Sequence, residues 1–440
     1  MQIHRLTAQN FRCFERFELP LAPGFNLLIG DNGAGKTALL DALMLGLGSY
    51  FLGFRTKLQL APGFATDDAR WVVRDIKETV DMQAQYPVRI TCEGTLGGHP
   101  AKWSRTRSDE GRKTTVKDAY PLIHFAAELQ KKVRGQGTPV DLPVFAYYGT
   151  ERLWLQLRTH KSALKLAQSR AAGYRYCLAR ESNIRYISEW IKHRTMSEVQ
   201  QYIIKTSVGT GTLSFSDVLL KTISNAVCSC IPGAKDFYYN IKYQELYLRF
   251  SDRRELPFHM LSDGVRGMLQ LVADLAWRIV VLNPHHMEDA LRLAEGVVKI
   301  DELDLALHPR WQIRVINDLT RVFPKLQFVA TTHSPLILAG AKGANVLRLE
   351  DSAVYKQEHV YGQDSNTVLT DAMDGPTRPP EVTQKLEHVS ELLDEDRVAE
   401  AKAEIARLEQ DLGVDCADLV RLRTAIEFLH PPVSDSKDGK

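Results

Sequence analysis

The chain has 440 residues, enough for two or three domains, and its 44% hydrophobic and 25% charged residues are typical of a globular protein. No apolar run approaches the ~20 residues that a membrane-spanning helix needs, and the N-terminal stretch lacks the apolar core of a secretory signal, so we expect a cytoplasmic protein with no membrane partner. The formal net charge is +2, and the six cysteines form no C-x-x-C pair, which argues against both a zinc site and a disulfide framework.

Residues 1–150 are predicted to form the N-terminal lobe of an α/β domain. The apolar run FNLLI at 25–29 has the length of a buried strand, and a helical pattern follows it from Lys36 onward. Alternating residues at 86–117 flank a glycine turn and predict a hairpin, and the run at 142–149 predicts another buried strand.

Residues 151–235 differ from their surroundings and are predicted to be a helical, basic insertion. Between 151 and 205, eleven Lys and Arg residues stand against four Asp and Glu residues. Such a segment could follow a nucleic-acid backbone and stack aromatic side chains on bases, or its aromatic residues could lie in the core beneath a solvated basic face. The sequence leaves both alternatives open, with DNA as a candidate partner. The candidate stacking residues are Trp154, Tyr174, Tyr176 and Trp190.

Residues 236–370 are predicted to form the C-terminal lobe of the same core. A helical pattern runs to about residue 282, and apolar strands at 296–300 and 326–331 follow, with a helical segment between them. Strands that alternate with helices indicate a parallel sheet.

The C-terminal segment 371–430 is predicted to be a helical hairpin that docks a partner. Its residues 381–430 include thirteen Asp and Glu against six Lys and Arg, so the helices could equally form a solvated surface. Residues 431–440 are predicted to be disordered. The apolar stripe of the hairpin is Val382, Leu386, Val389, Leu393, Ile405, Leu408 and Leu412.

The sequence GDNGAGKT, from Gly30 to Thr37, fits the phosphate-binding pattern G-x-x-x-x-G-K-[ST] between a buried strand and a helix. Its glycines allow backbone N–H groups to face phosphates, Lys36 would reach the β- and γ-phosphates, and the Thr37 hydroxyl would bind Mg²⁺. We therefore predict that ATP and Mg²⁺ bind here. The predicted ATP-binding residues of this loop are Gly30, Asp31, Asn32, Gly33, Ala34, Gly35, Lys36, Thr37 and Ala38.

Two later strand ends carry candidate catalytic residues. Asp301 follows an apolar strand and is the second predicted magnesium ligand, and Glu302 beside it could activate a water molecule against the γ-phosphate. Paired acids can also form a plain solvated turn. His333, in the sequence TTHSP, follows the next strand and is a candidate sensor of the γ-phosphate, although a lone histidine is often structural.

The short sequence LSDG, Leu261–Gly264, opens the long apolar helix of the C-terminal lobe. Taken alone it has the chemistry of a helix cap, with Ser262 or Asp263 at the N-cap position.

These elements, in this order and together with LHP at 307–309, resemble the ABC-type ATPases of the RecF, SMC and OLD group. The resemblance implies an ABC-ATPase head, in which a P-loop parallel sheet joins an antiparallel β lobe, here with a helical insertion and a C-terminal helical hairpin. The sequence NFRCF at 10–14 resembles the start of the same proteins and adds Arg12 to the implied ATP-binding residues.

In that group two heads meet head to tail around ATP, so the resemblance implies a homodimer or a higher oligomer. The phosphate loop of one copy would then be completed by the signature of the other. The signature residues implied to act in trans are Leu261, Ser262, Asp263 and Gly264.

More narrowly, LPVFAYYGTERLW, DELDLALHP and YGQDSNTVL resemble the ATPase subunit of Septu anti-phage systems, also found beside retrons. This implies a regulatory ATPase that controls a separate HNH-type nuclease. The alternatives are a RecF-like DNA-repair ATPase, which binds DNA as an ATP-dependent dimer, and a transporter motor. The motor is disfavoured because no coupling glutamine is evident, and Tyr147, Tyr148, Glu151 and Arg152 occupy that strand end instead.

Overall fold

A computed structural model describes most of the chain as two compact units, Met1–Val368 and Leu369–Lys440. The predicted tail 431–440 and the candidate Trp154 lie outside the described residues. The described residues are 1–56, 59, 61–76, 79–135, 137, 139–153, 169–180, 184–207 and 217–429.

The first unit contains every strand of the described chain. The strands are β1 (Gln2–Phe11), β2 (Phe14–Pro20), β3 (Phe25–Gly30), β4 (Arg70–Ile76), β5 (Thr79–Gln85), β6 (Val88–Leu96), β7 (His99–Arg107), β8 (Val144–Tyr148), β9 (Ala234–Asn240), β10 (Glu245–Phe250), β11 (Glu255–Pro257), β12 (Gly296–Ile300), β13 (Leu326–Thr331), β14 (Asn345–Glu350) and β15 (Ala353–Gln357).

The α-helices lie between and after these strands. They are α1 (Lys36–Gly48), α2 (Tyr50–Gly53), α3 (Tyr120–Arg134), α4 (Ile184–Ser207), α5 (Val218–Cys230), α6 (Asp263–Leu282), α7 (Ala290–Leu293), α8 (Pro309–Gln312), α9 (Val315–Val322), α10 (Pro335–Gly340), α11 (Ser365–Asp371), α12 (Pro380–Asp394), α13 (Val398–Leu412) and α14 (Ala417–Leu429).

The central sheet has the strand order β15-β14-β3-β13-β12-β8, and only the edge strand β15 is antiparallel. Strands β8, β12 and β13 are buried at every residue, as expected for parallel strands covered on both faces. Because β3, β13 and β12 are neighbours and parallel, the residues that follow them meet at one edge of the sheet. This confirms the predicted α/β fold and positions the candidate site.

Antiparallel sheets form the rest of the lobe. The four-stranded sheet β2-β1-β6-β7 contains the expected hairpin, in which Val88 pairs with Arg107. Strand β6 buries alternate residues, since only one of its faces packs inward. Strands β9 to β11 form a separate three-stranded sheet before α6.

The inserted segment is helical where it is described, through α4 and α5. Two of the candidate stacking residues are core residues: Tyr174 is fully buried, and Trp190 is 5% exposed and packs edge-on against Trp277. Of the four candidates, only Tyr176 is exposed among the described residues. Of the two alternatives that the sequence left open, Tyr174 and Trp190 follow the one in which the aromatic residues lie in the core, and neither is available to stack on bases.

Between residues 380 and 429 the second unit has three helices, α12, α13 and α14, so the predicted hairpin is extended by a third helix. Val389, Ile405 and Leu408 of the predicted stripe form its core with Leu419 and Ile426 of α14. The stripe is therefore used inside the unit, since the third helix covers it, and it is not the open docking face that the sequence predicted.

No helix in the described ranges is both long and apolar enough to cross a membrane.

Candidate nucleotide site

The phosphate loop connects the buried strand β3 to α1. Gly35 stands at the N-cap of α1 with φ of 92°, and no side chain caps this end. A Cβ at Gly35 would lie 2.3 Å from Cζ of Phe14, so both the left-handed backbone and the close packing require glycine. The first turn of α1 holds no acidic residue, and its leading N–H groups have no intrahelical partner. These donors fit a phosphate group.

Lys36 folds back over the loop. Its Nζ donates hydrogen bonds to the carbonyl oxygens of Gly30, at 2.7 Å, and Asp31, at 2.8 Å. Burial lowers the pKa of Lys36, while the nearby Asp301 and Asp31 oppose that shift. The amine is thus held at the loop, where it can neutralise a bound phosphate.

The two predicted magnesium ligands lie in direct contact although they are 264 residues apart in the chain. Thr37 Oγ1 donates to Asp301 Oδ2 at 2.9 Å, and Thr331 Oγ1 donates to Asp301 Oδ1 at 2.6 Å. A hydroxyl and a buried carboxylate are the hard oxygen donors that Mg²⁺ prefers. The arrangement fits the predicted cation.

Glu302 sits in an unusual backbone conformation, with φ of 48°. Its N–H donates to Thr331 Oγ1 at 2.8 Å, and its carbonyl accepts from Arg152 Nη2 at 2.7 Å. The backbone on both sides of the side chain is therefore fixed, and the half-buried carboxylate remains able to contact water.

Arg152 is a residue of this site to which the sequence assigned no role. It is 5% exposed, and its Nη1 donates to the carbonyl oxygens of Asp301, at 2.7 Å, and Gly149, at 3.0 Å. Burial lowers the pKa of Arg152 to about 10, with Asp301 and Glu302 acting in the opposite direction. The only sequence signal was its place at the end of β8, where a coupling residue was expected.

His333 is exposed at the end of β13, the strand between the phosphate-loop strand and β12. Its backbone N–H donates to Asp304 Oδ1 at 3.3 Å. Strand order therefore places it at the same edge as Gly30 and Asp301, and its role as a phosphate sensor stays a prediction.

Arg12 is bonded to two carboxylates in the structure. Its Nη1 donates to Asp41 Oδ2 at 2.6 Å and its Nε donates to Asp68 Oδ1 at 3.0 Å. Asp41, on α1, also pairs with Arg180 and accepts from the hydroxyl of Tyr147 at 3.1 Å. These hydrogen bonds and ion pairs hold α1 in place behind the phosphate loop. A direct role of Arg12 in ATP binding stays a prediction. No sequence pattern pointed to Asp41.

Lys299 is a buried cation beneath the acidic pair. Its Nζ lies 4.5 Å from the centroid of the Tyr147 ring and has no hydrogen-bond partner in the described part of the chain. Burial lowers the pKa of Lys299 to about 7, although Asp41 opposes the shift.

The signature residues are bonded to other parts of the chain than the phosphate loop. Ser262 occupies the N-cap position of α6 but its side chain makes no capping bond, and Asp263 pairs instead with Arg266. Ser262 and Asp263 are exposed. A Cβ at Gly264 would lie 2.5 Å from the carbonyl oxygen of Ala306, so only glycine fits beside that loop. Within the described residues no hydrogen bond joins Leu261–Gly264 to Gly30–Thr37.

Family comparisons agree with this geometry. A family described as "AAA domain, putative AbiEii toxin, Type IV TA system" matches residues 120–339, half of the chain, and a second AAA domain family matches residues 5–205. The chain belongs to the AAA-domain family. This confirms the family resemblance that was predicted from the sequence.

Named relatives of this AAA protein include a retron ATPase and a Septu protein. The "Retron Ec83 probable ATPase" of Escherichia coli is 23% identical and aligns over 97% of this chain and 87% of that protein. The "Septu protein PtuA" of Bacillus thuringiensis is 32% identical over 32% of this chain and 38% of that protein. A solved SMC head bound to the C-winged helix domain of ScpA is 13% identical, with a TM-score of 0.45 over 81% of this chain and 98% of that one. The predicted resemblance to Septu and retron ATPases is confirmed.

Proposed function

We propose that this AAA protein binds and hydrolyses ATP with Mg²⁺, and that its nucleotide state controls a separate nuclease in an anti-phage defence complex. The observation that carries the proposal is the contact of Thr37 and Thr331 with the Asp301 carboxylate, which joins the phosphate loop to the acidic strand. The defence role is supported by the relatives named as retron ATPase and Septu PtuA.

The loop and α1 would hold the phosphates. Backbone N–H groups from Gly30 to Ala38 would receive the α- and β-phosphates, and Lys36 would turn from the loop carbonyls toward the β- and γ-phosphates. Thr37 and Asp301 would hold Mg²⁺, which supplies charge neutralisation on the phosphate oxygens.

Glu302 is proposed as the base that takes a proton from the attacking water. Its backbone is held by Thr331 and Arg152, so the point from which the side chain projects is fixed relative to β12. Because the base follows a strand that is held in place, less movement of the protein is needed to bring it to the attacking water. His333, at the same carboxyl edge of the central sheet, would contact the γ-phosphate.

A second copy is proposed to supply the signature. The Ser262 hydroxyl is exposed and makes no capping bond, so it is available to a phosphate of another copy. The N-terminus of α6 behind it carries positive potential that favours an anion. A head-to-tail homodimer would complete both sites.

The Glu302→Gln variant tests the catalytic assignment. We expect ATP binding to be retained and the steady-state hydrolysis rate to fall by about 10²–10⁴-fold, because the amide cannot accept the proton. The matched control is Glu128→Gln on the exposed face of α3, which should keep the parental rate. Unchanged turnover in Glu302→Gln would remove Glu302 as the base.

The proposed nuclease control needs its own test. The chain is co-expressed with its neighbouring gene, and the native mass of the purified complex is measured with and without ATP. Co-purification of an HNH nuclease whose cutting depends on nucleotide supports the proposal. A chain that purifies alone and binds DNA ends more tightly with ATP would favour the RecF-like alternative instead.

A further inference from the structure

Three potential metal ligands converge at the opposite end of the central sheet from the nucleotide site. Asp141 Oδ1 lies 2.8 Å from Nε2 of His285 and 2.6 Å from Nε2 of His286. The three ligand atoms lie within 4.8 Å of one another, and no other such group of His, Cys, Asp or Glu residues occurs in the described ranges.

The location separates this cluster from the phosphate loop. Asp141 precedes β8, whereas Arg152 and the acidic pair follow the other ends of β8 and β12. Strand β8 runs parallel to β12, with Val144 beside Gly296 and Tyr148 beside Ile300. The cluster therefore lies at the amino edge of the sheet and the candidate nucleotide site at its carboxyl edge.

The backbone around the cluster is held rigidly. Asn283, directly after α6, accepts from the Leu142 N–H at 2.8 Å and donates to the Leu142 carbonyl at 3.0 Å. Arg170 donates to the carbonyl oxygens of Leu282 and Val140, each at 2.6 Å. These buried and part-buried contacts fix the two segments that carry the ligands, which is the preorganisation that a metal site requires.

The three ligand side chains are also accessible to solvent. The side chains of His285 and His286 are 20% and 21% exposed, and that of Asp141 is 68% exposed, so an ion can enter from solvent. His285 presents Nε2 to Asp141, and its buried Nδ1 has no hydrogen-bond partner among the described residues.

We propose that Asp141, His285 and His286 form a binding site for a Zn²⁺ ion, distinct from the ATP and Mg²⁺ site. Two imidazole nitrogens and one carboxylate oxygen form a ligand set typical of Zn²⁺, and the fourth position is open to water. Tetrahedral ligand atoms at about 2.0–2.2 Å from an ion lie roughly 3.3–3.6 Å from one another. The present 2.6–2.8 Å contacts would therefore widen by about 0.5–1 Å, through rotation of the side chains. The cysteine pattern predicted no zinc site, and this one uses no cysteine.

The ion would join the end of the signature helix to the start of β8. Helix α6 begins at the LSDG turn and ends at Leu282, and Tyr148 at the far end of β8 donates to Asp274 of α6 at 2.8 Å. A metal at the other end of both elements would fix α6 against the sheet at two points. The site therefore has a structural role in holding the helix that presents Ser262.

Titration calorimetry with ZnCl₂ on the full-length, nucleotide-free protein tests the site. We expect one Zn²⁺ per chain with micromolar or tighter affinity and a rise of about 2–5 °C in the melting temperature at saturating Zn²⁺. The double variant His285→Ala/His286→Ala should lose this event by at least ~100-fold in affinity, and Asp141→Asn by at least ~10-fold.

The matched control is His99→Ala, since His99 is exposed on the β6–β7 hairpin away from the cluster. It should bind Zn²⁺ like the parent protein. Substitution with Co²⁺ provides a second measurement, and an absorption spectrum without thiolate charge-transfer bands is expected because the ligands are nitrogen and oxygen. Absence of Zn²⁺ binding in the parent, undiminished binding in the double variant, or a cobalt–thiolate spectrum would each overturn the proposal.

Discussion

The phosphate loop and the signature turn differ in how many of their groups are bonded within the chain. Thr37 and Lys36 both contact other parts of the carboxyl edge, and the Asp301 carboxylate there accepts from two threonines. The Ser262 hydroxyl is exposed and makes no cap, although it occupies the N-cap position of a long buried helix. The phosphate loop and the acidic strand end thus form a largely assembled half-site. The signature turn Leu261–Gly264 forms an open half-site.

This difference has a functional meaning. An N-cap serine usually accepts a bond from its own helix, and losing that bond costs roughly 1 kcal/mol. The structure leaves the bond unmade at LSDG while Gly264 packs tightly beside Ala306. The backbone of the turn is thus constrained and its hydroxyl is not, which suits a group that contacts a phosphate of another copy.

The largest expected effect comes from placing a bulky cation on the open half-site. Ser262→Arg should leave ATP affinity of the single chain within about twofold of the parent, because in the part of the chain that the structure describes no hydrogen bond joins this turn to its own phosphate loop. ATP-dependent dimerisation should be lost, since the arginine would occupy the space of the partner's phosphate. Sedimentation velocity with the Glu302→Gln background and ATP measures the dimer.

The control for that experiment is Ser251→Arg at another exposed serine, which should still dimerise. Loss of ATP binding by isolated Ser262→Arg chains would contradict the trans assignment. It would place the signature in the site of its own chain.

A smaller effect is expected from the assembled half-site at Arg152. Arg152→Lys removes the bidentate contact to the carbonyls of Asp301 and Glu302, because an ammonium group cannot span both. We expect kcat to fall about tenfold with KM for ATP little changed, and unfolding free energy to fall by roughly 1–3 kcal/mol. Steady-state kinetics and urea unfolding measure the two quantities.

Arg16→Lys is the matched control, since Arg16 is a surface residue with an exposed side chain. A loss expressed only in KM would contradict a positioning role for Arg152. It would assign the residue to nucleotide binding instead.

The smallest expected effect concerns Lys299, which is buried beneath the assembled half-site. Burial lowers the pKa of Lys299 to about 7, so between pH 7 and 8.5 the unfolded chain binds more protons at this position than the folded chain. Folding stability therefore gains up to roughly 1.4 kcal/mol per pH unit from Lys299 in that window. Above it, the buried Cys92 and Cys177, whose pKa values burial raises to about 12, act in the opposite direction.

Lys299→Met should flatten the rise in urea midpoint between pH 7 and 8.5. The exposed Lys325→Met should preserve it. Equal pH profiles in the parent and Lys299→Met would show that Lys299 is charged in the folded protein at neutral pH.

The local parts of the site could be predicted because short sequence patterns specify them. The loop Gly30–Thr37 needs a strand, glycines with positive φ and a following helix, and each of these leaves a mark in consecutive residues. The acidic pair after β12 is visible for the same reason. Strand alternation with helices was enough to predict the parallel sheet.

Contacts between distant segments could not be predicted in this way. Arg152 and Asp41 are ordinary charged residues in the sequence, and only packing brings Arg152 to the acidic pair and Asp41 to Arg12. Lys299 stands next to the acidic pair in the sequence, but its burial against the Tyr147 ring follows only from the fold. The apolar stripe of the second unit had the pattern of a docking face, but α14 covers it. Aromatic residues of the insertion had the composition of a stacking surface, and Tyr174 and Trp190 are buried.

The sequence by itself determined the phosphate loop, the acidic strand end, the α/β class and the turn that opens α6, because each depends on neighbouring residues and on strand or helix periodicity. Tertiary structure alone decided which charges meet, which apolar faces are covered, and that Asp141 reaches His285 and His286. The physical reason is that burial and pairing depend on the order of strands in the sheet, which joins residues hundreds of positions apart.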